Sequence, residues 1–260
     1  LMKALWLARL SRPDIPKPIC DLATHIQIWS RNDDKRLLRL IAYLDWSKDF
    51  SLRGQVQDPP ELLELRLFVD ADFSGEVECT RSTSGGYMVL WGPNSWFPIS
   101  WLSKRQSSTA RSTTEAEVIA LAASLFPEAL PHLDLWSEIL GRPVNLVIME
   151  DNQATIKVVR KGYSPKLRHI QRVHKVDLGS IKEVIDREPV HLDYCHTSFQ
   201  AADIFTKALC PLKWESALRL LGLDCSSCQS SNHVVPSRLS SHGSSSCPTA
   251  ATSYPAMIPS

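Results

Sequence analysis

Alternating apolar and polar positions predict a buried strand near residue 65. In the segment 65–69, the odd-numbered apolar residues would lie on one face of this strand and Phe68 on the other, so both faces would be buried. The strand ends at Asp70, and Asp72 follows it. A carboxylate at a strand end is held by rigid backbone, as a metal site requires. Acidic residues at strand ends are also common as solvated turn residues, so this pattern alone leaves both interpretations open.

The same patterns predict four further strands, at 86–91, 96–101, 144–151 and 189–195. The first three strands form an antiparallel meander, in which Pro98 suits an edge or a bulge. A helix begins at Ser112 with the signature of a capping box, and Pro127 and Pro131 should kink or interrupt it. Further helices are predicted at 152–159, 170–185, 200–207 and 214–221. This order of elements predicts an α/β fold with a mixed sheet.

The two ends of the chain have different patterns from the centre. Residues 1–60 carry apolar positions at helical spacing and predict a small helical segment with a thin core, and residues 57–60 suit a linker. The first residues do not form a complete signal peptide, and we interpret the start as a cut within a longer protein. Residues 224–260 are rich in Ser, Pro and Thr and predict a disordered tail.

Charge and cysteine content limit the kinds of partner and of cellular compartment that the sequence suggests. The 29 basic and 28 acidic residues nearly balance, so a nucleic-acid partner must be sought in local patches. There is no uninterrupted apolar run of about eighteen residues, which argues against a membrane span. The 7 cysteines are scattered and odd in number, which argues against a disulfide framework and for a reducing, intracellular compartment.

Four single acids stand at points of this order that a mixed sheet can bring together: Asp70, Glu117, Asp151 and Asp203. Each one alone could be a solvated surface acid. Gathered together, they would need a cation, because like charges at close range raise one another's pKa. Hard oxygen ligands select Mg²⁺ or Mn²⁺ over Zn²⁺. Two such ions can activate a water and stabilise the leaving oxygen of a phosphodiester.

Six motifs carry a resemblance to a known family. They are FVDADFSG (68–75), RSTSG (81–85), ISWLSKRQ (99–106), STTEAE (112–117), EDNQA (150–154) and ADIFTK (202–207). In this order they resemble the ribonuclease H domain that ends the Pol polyprotein of copia-type retrotransposons, over about residues 64–223. Residues 12–15 and 37–44 resemble the segment that joins reverse transcriptase to ribonuclease H in such elements. The resemblance implies a ribonuclease H-like fold, a mixed five-stranded sheet with helices on both faces.

The resemblance also implies a catalytic and metal-binding set, namely Asp70, Glu117, Asp151 and Asp203, holding two Mg²⁺ or Mn²⁺ ions. Asp72 and Glu115 are close rivals of the first two. The implied activity is endonucleolytic cleavage of the RNA strand of an RNA/DNA hybrid, with the reverse transcriptase region of the same polyprotein as partner. The paired-aspartate motif of the polymerase is absent, so the chain should not synthesise DNA. An alternative is a catalytically idle domain that supports the polymerase or binds nucleic acid.

Basic and amide side chains near the acids are candidates for nucleic-acid binding, although basic helix faces are often only solvated. They are Lys104, Arg105, Asn152, Gln153, Lys157, Arg160, Lys161, Lys166 and Arg168. Amides at a helix start suit a phosphate or a 2′-hydroxyl.

Two hypotheses concern histidines. His196 precedes Asp203 by seven residues and is a candidate proton shuttle, or else a solvated loop histidine. His169 and His174 with Cys225 and Cys228 have the ligand order of a zinc module, but about fifty residues separate the two pairs, which argues against a zinc site.

Overall fold

The computed structural model describes residues 1–73, 80–187 and 189–225. Most of the predicted disordered tail, from residue 226 onward, and residues 74–79 of the first turn therefore lie outside the described residues. The described strands are β1 (Phe50–Leu52), β2 (Glu64–Asp72), β3 (Thr83–Gly92), β4 (Ser95–Arg105), β5 (Leu146–Glu150), β6 (Val190–Tyr194) and β7 (Leu223–Cys225). The described α-helices are α1 (Met2–Leu10), α2 (Pro16–Thr24), α3 (Arg31–Trp46), α4 (Thr113–Ser124), α5 (Leu130–Leu140), α6 (Gln153–Lys161), α7 (Ile170–His174), α8 (Leu178–Ile185) and α9 (Pro211–Leu220).

Five strands form the central sheet in the order β4-β3-β2-β5-β6. The pairs β4–β3 and β3–β2 are antiparallel, as expected for a meander, whereas β2–β5 and β5–β6 are parallel. The carboxyl ends of the three parallel strands therefore meet at one edge of the sheet. The predicted mixed five-stranded sheet with helices on both faces is confirmed.

Side-chain alternation along β2 divides the core into two layers. Leu65, Leu67 and Val69 pack with residues of α4, α6 and α8 on one face. Phe68 lies on the other face, in a cluster with residues of the 3₁₀ turn Ala201–Phe205 and of α9. Each face of the central strand thus buries a helical layer, as its continuous apolar pattern predicted.

The prolines are accommodated by local irregularities. Pro98 lies on the edge strand β4 beside a register shift opposite Met88 and Val89, as predicted for a proline at a bulge. The helix that begins at α4 is not interrupted at Pro127, because the five residues Leu125–Ala129 form a π-helical turn that leads directly into α5. In a π turn the backbone hydrogen bonds join residues five apart, and this change of pattern accommodates a proline, which has no N–H to donate. The helix predicted at 170–185 is instead broken between α7 and α8 by Lys175, which has a φ of 59°.

The combined helix Thr113–Leu140 is long and apolar enough to cross a membrane. Half of its most apolar stretch is buried within the protein, and α4 packs against β2 and β3. Core helices often meet such a criterion, so this feature is weak evidence for a membrane span.

The N-terminal helices pack on the sheet. The indole Nε1 of Trp101 in β4 donates a hydrogen bond to the carbonyl oxygen of Ala8 (2.6 Å), and α2 contacts β4. β1 pairs with β7 in a separate two-stranded sheet. Within the predicted linker, Asp58 is buried and accepts hydrogen bonds from Ser95 Oγ (2.6 Å) and from the backbone N–H of Asn94 (2.7 Å). The linker thus caps the β3–β4 turn, and the division at residues 60–64 stays a prediction.

Candidate metal centre and cleft

The four predicted acids gather at the edge where the parallel strands end. Asp70 is the penultimate buried residue of β2, and Asp151 directly follows β5, which runs parallel to β2. Glu117 lies in the first half of α4, which packs across β2. Asp70, Glu117 and Asp151 line an open cleft of about 530 Å³, together with Lys207 and the residues after β5.

The fourth acid, Asp203, is carried by the 3₁₀ turn Ala201–Phe205. Gln200 anchors the start of this turn, because its Nε2 donates to the carbonyl oxygen of Val69 (2.9 Å), next to Asp70. Ser103 of β4 anchors the end, donating from Oγ to the carbonyl oxygen of Phe205 (2.7 Å). The turn is therefore fixed to two strands of the sheet.

A glycine permits this close approach. Gly85 pairs with Asp70 across β2 and β3. A Cβ built on Gly85 would lie 2.6 Å from Cγ2 of Thr206 and 3.1 Å from the carbonyl oxygen of Ala202. A larger residue would push the turn, and Asp203 with it, away from the sheet. The glycine in the motif at 81–85 is thus explained by packing.

Two overlapping groups of carboxylates could each hold a cation. Asp70, Asp151 and Asp203 each offer an oxygen within 4.8 Å of the others, and so do Glu117, Glu150 and Asp151. Asp151 belongs to both groups. The donor set consists of hard oxygen atoms, which suit a divalent cation of the Mg²⁺ or Mn²⁺ type. The second group also contains buried carboxylate oxygens without a hydrogen-bond partner, on Glu117 (Oε2) and Glu150 (Oε2), so the residues fit a metal centre.

Glu150 is a member of the cluster that the sequence analysis missed. It is fully buried as the last residue of β5, and its Oε1 accepts a hydrogen bond from the backbone N–H of Asn152 (3.0 Å). The signal was present in the alternation of β5, because Leu146 and Ile148 face the core under α4 and Glu150 shares their face. Glu150 thus points toward Glu117.

Lys207 and Thr206 were also missed. The ammonium of Lys207 donates to Asp70 Oδ1 (2.8 Å) and to Asp203 Oδ1 (2.7 Å), and the hydroxyl of Thr206 donates to Asp70 Oδ2. The spacing of Asp203 and Lys207, four residues apart, was a readable signal for this ion pair. Both oxygens of Asp70 are therefore occupied by donors from one short segment.

Crowding of carboxylates shifts their titration. Burial, followed by the charges of Glu150 and Asp70, raises the pKa of Glu117 far above its ordinary value. Burial also raises the pKa of Glu150, and burial together with the charge of Asp70 raises the pKa of Asp151 and of Asp203. For Lys207, burial opposes the charged form, but Asp70 and Asp203 outweigh it and raise its pKa. The site without a divalent cation therefore retains protons.

These shifts predict that the metal-free protein loses stability as pH rises. The folded chain keeps protons on Glu117 and Glu150 above the ordinary carboxyl pKa, whereas the unfolded chain releases them near pH 4.3. Above that pH the folded state binds more protons, so the free energy of unfolding falls by about 1.4 kcal/mol per pH unit for each retained proton. Urea unfolding in EDTA between pH 5 and 8 would measure this slope. Glu117→Gln should make it shallower, and the exposed Glu138→Gln should not; an equal slope in all three proteins would contradict the prediction.

The two rival acids occupy different places. Asp72 is half-buried on the rim of the cleft and belongs to neither carboxylate group. Glu115 is buried away from the cluster, where its Oε1 lies 3.0 Å from His169 Nε2 and 3.2 Å from His174 Nε2. Its Oε2 accepts from the backbone N–H of Arg111, so the predicted capping box is only half formed.

The zinc alternative gains no support from the described residues. His169 and His174 face Glu115, not a cysteine. Cys228, one of its proposed ligands, lies outside the described residues. The cysteines described as free are Cys20, Cys195 and Cys210.

The candidate nucleic-acid contacts separate into three groups. Asn152 and Gln153 line the cleft, and Asn152 also caps α6 by accepting from the backbone N–H groups of Ala154 (3.0 Å) and Thr155 (3.2 Å). Lys104 and Arg105 line a second cavity of about 540 Å³ beside α4. The exposed residues on and after α6 are Lys157, Arg160, Lys161, Lys166 and Arg168. Only the first group adjoins the acids, and the binding roles stay predictions.

His196, the candidate proton shuttle, is exposed beside the site. Its Nδ1 lies 2.8 Å from Ser198 Oγ and accepts from the backbone N–H of Ser198 (3.2 Å). The neighbouring Thr197 donates from Oγ1 to Asp151 Oδ2 (3.2 Å). Its loop is thus tied to the cluster, whereas the shuttle role stays a prediction.

Comparison with known proteins gives relatives of one kind over most of the chain. The Retrovirus-related Pol polyprotein from transposon RE2 of Arabidopsis thaliana is 27% identical over 227 residues, which is 86% of this chain. That from transposon TNT 1-94 of Nicotiana tabacum is 31% identical over 215 residues, or 82% of this chain. The chain spans only about 15% of the length of either relative.

Other comparisons are shorter or weaker. The Secreted RxLR effector protein 161 of Plasmopara viticola is 30% identical over 118 residues, which is 45% of this chain and 78% of that protein. Among solved structures, LC11-RNase H1 isolated from compost superposes with a TM-score of 0.38 at 16% identity, covering 55% of this chain and 92% of that one. No protein-family model matches the chain.

Proposed function

Since the relatives that match more than four fifths of this chain are retrovirus-related Pol polyproteins of transposons, we propose that the chain is their ribonuclease H part and cleaves the RNA strand of RNA/DNA hybrids. The cleavage requires a divalent cation, Mg²⁺ or Mn²⁺, and the element is of the copia type. We place the activity inside the cell, in a cytoplasmic particle or the nucleus. The reverse transcriptase region of the same polyprotein, which makes such hybrids, is the proposed partner.

The observation that carries this proposal is the convergence of Asp70, Glu117, Asp151 and Asp203 in two overlapping carboxylate groups. They come from a strand, a helix, a strand end and a 3₁₀ turn that are far apart in sequence. Such a concentration of negative charge is costly without a compensating cation. Buried carboxylate oxygens without a hydrogen-bond partner, such as those of Glu117 and Glu150, destabilise a fold. Their presence is therefore better explained by a bound cation than by a purely structural role.

In the proposed reaction the chain's own groups bind and orient. Asp70, Asp151 and Asp203 would hold one cation, and Glu117 and Glu150 with Asp151 a second. When bound, the cations would supply Lewis-acid activation of water and stabilisation of the leaving oxygen. Thr206 fixes the rotamer of Asp70, and Thr197 that of Asp151, through their hydroxyl donors.

The cleft supplies donors for a nucleic-acid backbone. The side-chain oxygen of Asn152 accepts hydrogen bonds from the first backbone N–H groups of α6, so its NH₂ group can donate to a substrate. The neighbouring Gln153 is exposed. Amide groups at a helix start, one residue from Asp151, suit a phosphate or a 2′-hydroxyl. Recognition of a 2′-hydroxyl would select the RNA strand.

Cleavage of a labelled RNA/DNA hybrid in Mg²⁺ tests the proposal. We expect the wild-type chain to cut the RNA strand, and Asp151→Asn to lose at least about a hundredfold in rate, because Asp151 is shared by both carboxylate groups. Asp134→Asn, which changes an exposed acid on α5, is the matched control and should retain the rate. Hybrid binding without cleavage by the wild-type chain would favour the alternative, an idle domain that supports the polymerase.

A further inference from the structure

The side chain of Lys207 lies where a cation is expected. Its ammonium is 2.8 Å from Asp70 Oδ1 and 2.7 Å from Asp203 Oδ1. These are two of the three carboxylates that form the first candidate metal group, with Asp151 as the third. Among the described residues, the ion pairs of Asp70 and Asp203 both run to this one lysine. A positive charge is therefore already in place between two of the ligands.

Asp70 already uses both of its carboxylate oxygens as hydrogen-bond acceptors. Its Oδ1 accepts from Lys207 and its Oδ2 accepts from Thr206, and the side chain is almost fully buried. A divalent cation bound by Asp70 and Asp203 would have to share their oxygens with the ammonium. Two cations drawn to the same oxygens repel each other, and the repulsion is strong in a partly buried site.

The position of Lys207 allows its ammonium to move away from the two carboxylates. Its side chain is 37% exposed and lines the open cleft, whereas the carboxylate of Asp70 is buried. The flexible four-carbon stem of lysine lets the ammonium move into solvent without a backbone change. Thr206 would remain to hold Asp70 in position.

We propose that Lys207 is an internal counter-ion of this site, whose ammonium pairs with Asp70 and Asp203 before a divalent cation binds and competes with that cation for them. The side chain thereby stabilises the metal-free protein and lowers the affinity of the site for metal. Lys207 is a positioning residue in this role. The inference rests on the proposed function, because it takes the carboxylate cluster to be a divalent-cation site.

The test is the affinity for Mn²⁺ alone, measured by isothermal titration calorimetry without nucleic acid. We expect Lys207→Gln and Lys207→Met to bind Mn²⁺ at least about tenfold more tightly than the wild-type chain, because a competing charge is removed. Lys207→Arg keeps a positive charge and should stay within about threefold of wild type. Lys213→Gln changes an exposed lysine of α9 and is the matched control for loss of charge.

Melting temperatures in EDTA and in saturating Mn²⁺ give a second readout. The two neutral variants should melt lower than wild type in EDTA and should gain more on adding Mn²⁺. Mn²⁺ binding by the wild-type chain, with equal or weaker binding by both neutral variants, would overturn the role of Lys207 and leave the metal centre standing. Failure of the wild-type chain and the neutral variants alike to bind Mn²⁺ would overturn the metal centre itself.

Discussion

Asp70→Asn is expected to lower the rate of hybrid cleavage by about 10³-fold or more, while Asp72→Asn lowers it by less than about tenfold. Asp70 is buried in the carboxylate cluster, with an oxygen close to those of Asp151 and Asp203. Asp72 lies two residues further along the same strand, on the rim of the cleft. The two substitutions remove the same charge from neighbouring positions, so the difference between them isolates the contribution of the cluster.

Single-turnover cleavage of a labelled hybrid in saturating Mg²⁺ measures both rates. Circular dichroism of each variant checks that the fold is kept, and hybrid binding measured separately checks that the substrate is still recognised. Comparable losses in the two variants, or a larger loss in Asp72→Asn, would show that the cluster as described does not hold the reacting cations.

Arg12→Ala is expected to produce a large loss of stability, about 3–5 kcal/mol, far from the cleft. Arg12 Nε and Nη2 donate to the two oxygens of Asp14 (2.9 and 2.7 Å), and Tyr43 donates from its hydroxyl to Asp14 Oδ2 (2.6 Å). Arg12 also donates to the carbonyl oxygen and hydroxyl of Ser47, which joins α3 to this network. Without Arg12, Tyr43 would be the one remaining side-chain donor to the buried carboxylate of Asp14 among the described residues.

Urea unfolding at pH 7 measures this loss. Arg219→Ala removes an arginine from the exposed pair with Glu215 and is the matched control, with an expected cost below about 1 kcal/mol. The double substitution Arg12→Leu with Asp14→Leu should cost less than Arg12→Ala, because no unpaired charge remains. A loss below 1 kcal/mol for Arg12→Ala would mean that the N-terminal helices contribute little to the stability of the whole.

The edge of the sheet at which the acids gather is predictable from the sequence because strand ends are easy to recognise. Asp70 and Asp151 each follow an apolar run, and runs of this kind pair side by side in a parallel arrangement. Glu117 is favoured over its rival Glu115 by the family resemblance and by helical phase, because Glu115 belongs to the predicted capping box. The structure places the two on different sides of α4. Position along an element, together with the family resemblance, therefore identifies these residues as candidates.

Other parts of the site depend on contacts between distant segments. Glu150 was hidden because the adjacent Asp151 matched the motif, although the alternation of β5 pointed inward. Thr206 reaches Asp70 across 136 positions of the chain, and no local pattern reports such a contact. The break at Lys175 escaped detection for a similar reason, since a left-handed conformation at a lysine has no signature in hydrophobic periodicity.

The pairing of β1 with β7 has a consequence for how such a chain could be released from a polyprotein. Phe50 lies opposite Cys225, and Leu52 lies opposite Leu223. The pairing partner of β7 is therefore a strand that precedes the predicted linker. A protease that cut between residues 53 and 63 would sever the covalent link between β1 and the part of the chain that carries β7. Loss of β1 would then leave β7 with an unpaired strand edge, a site prone to aggregation. A fragment that keeps this strand pairing within one chain therefore has to begin before Phe50.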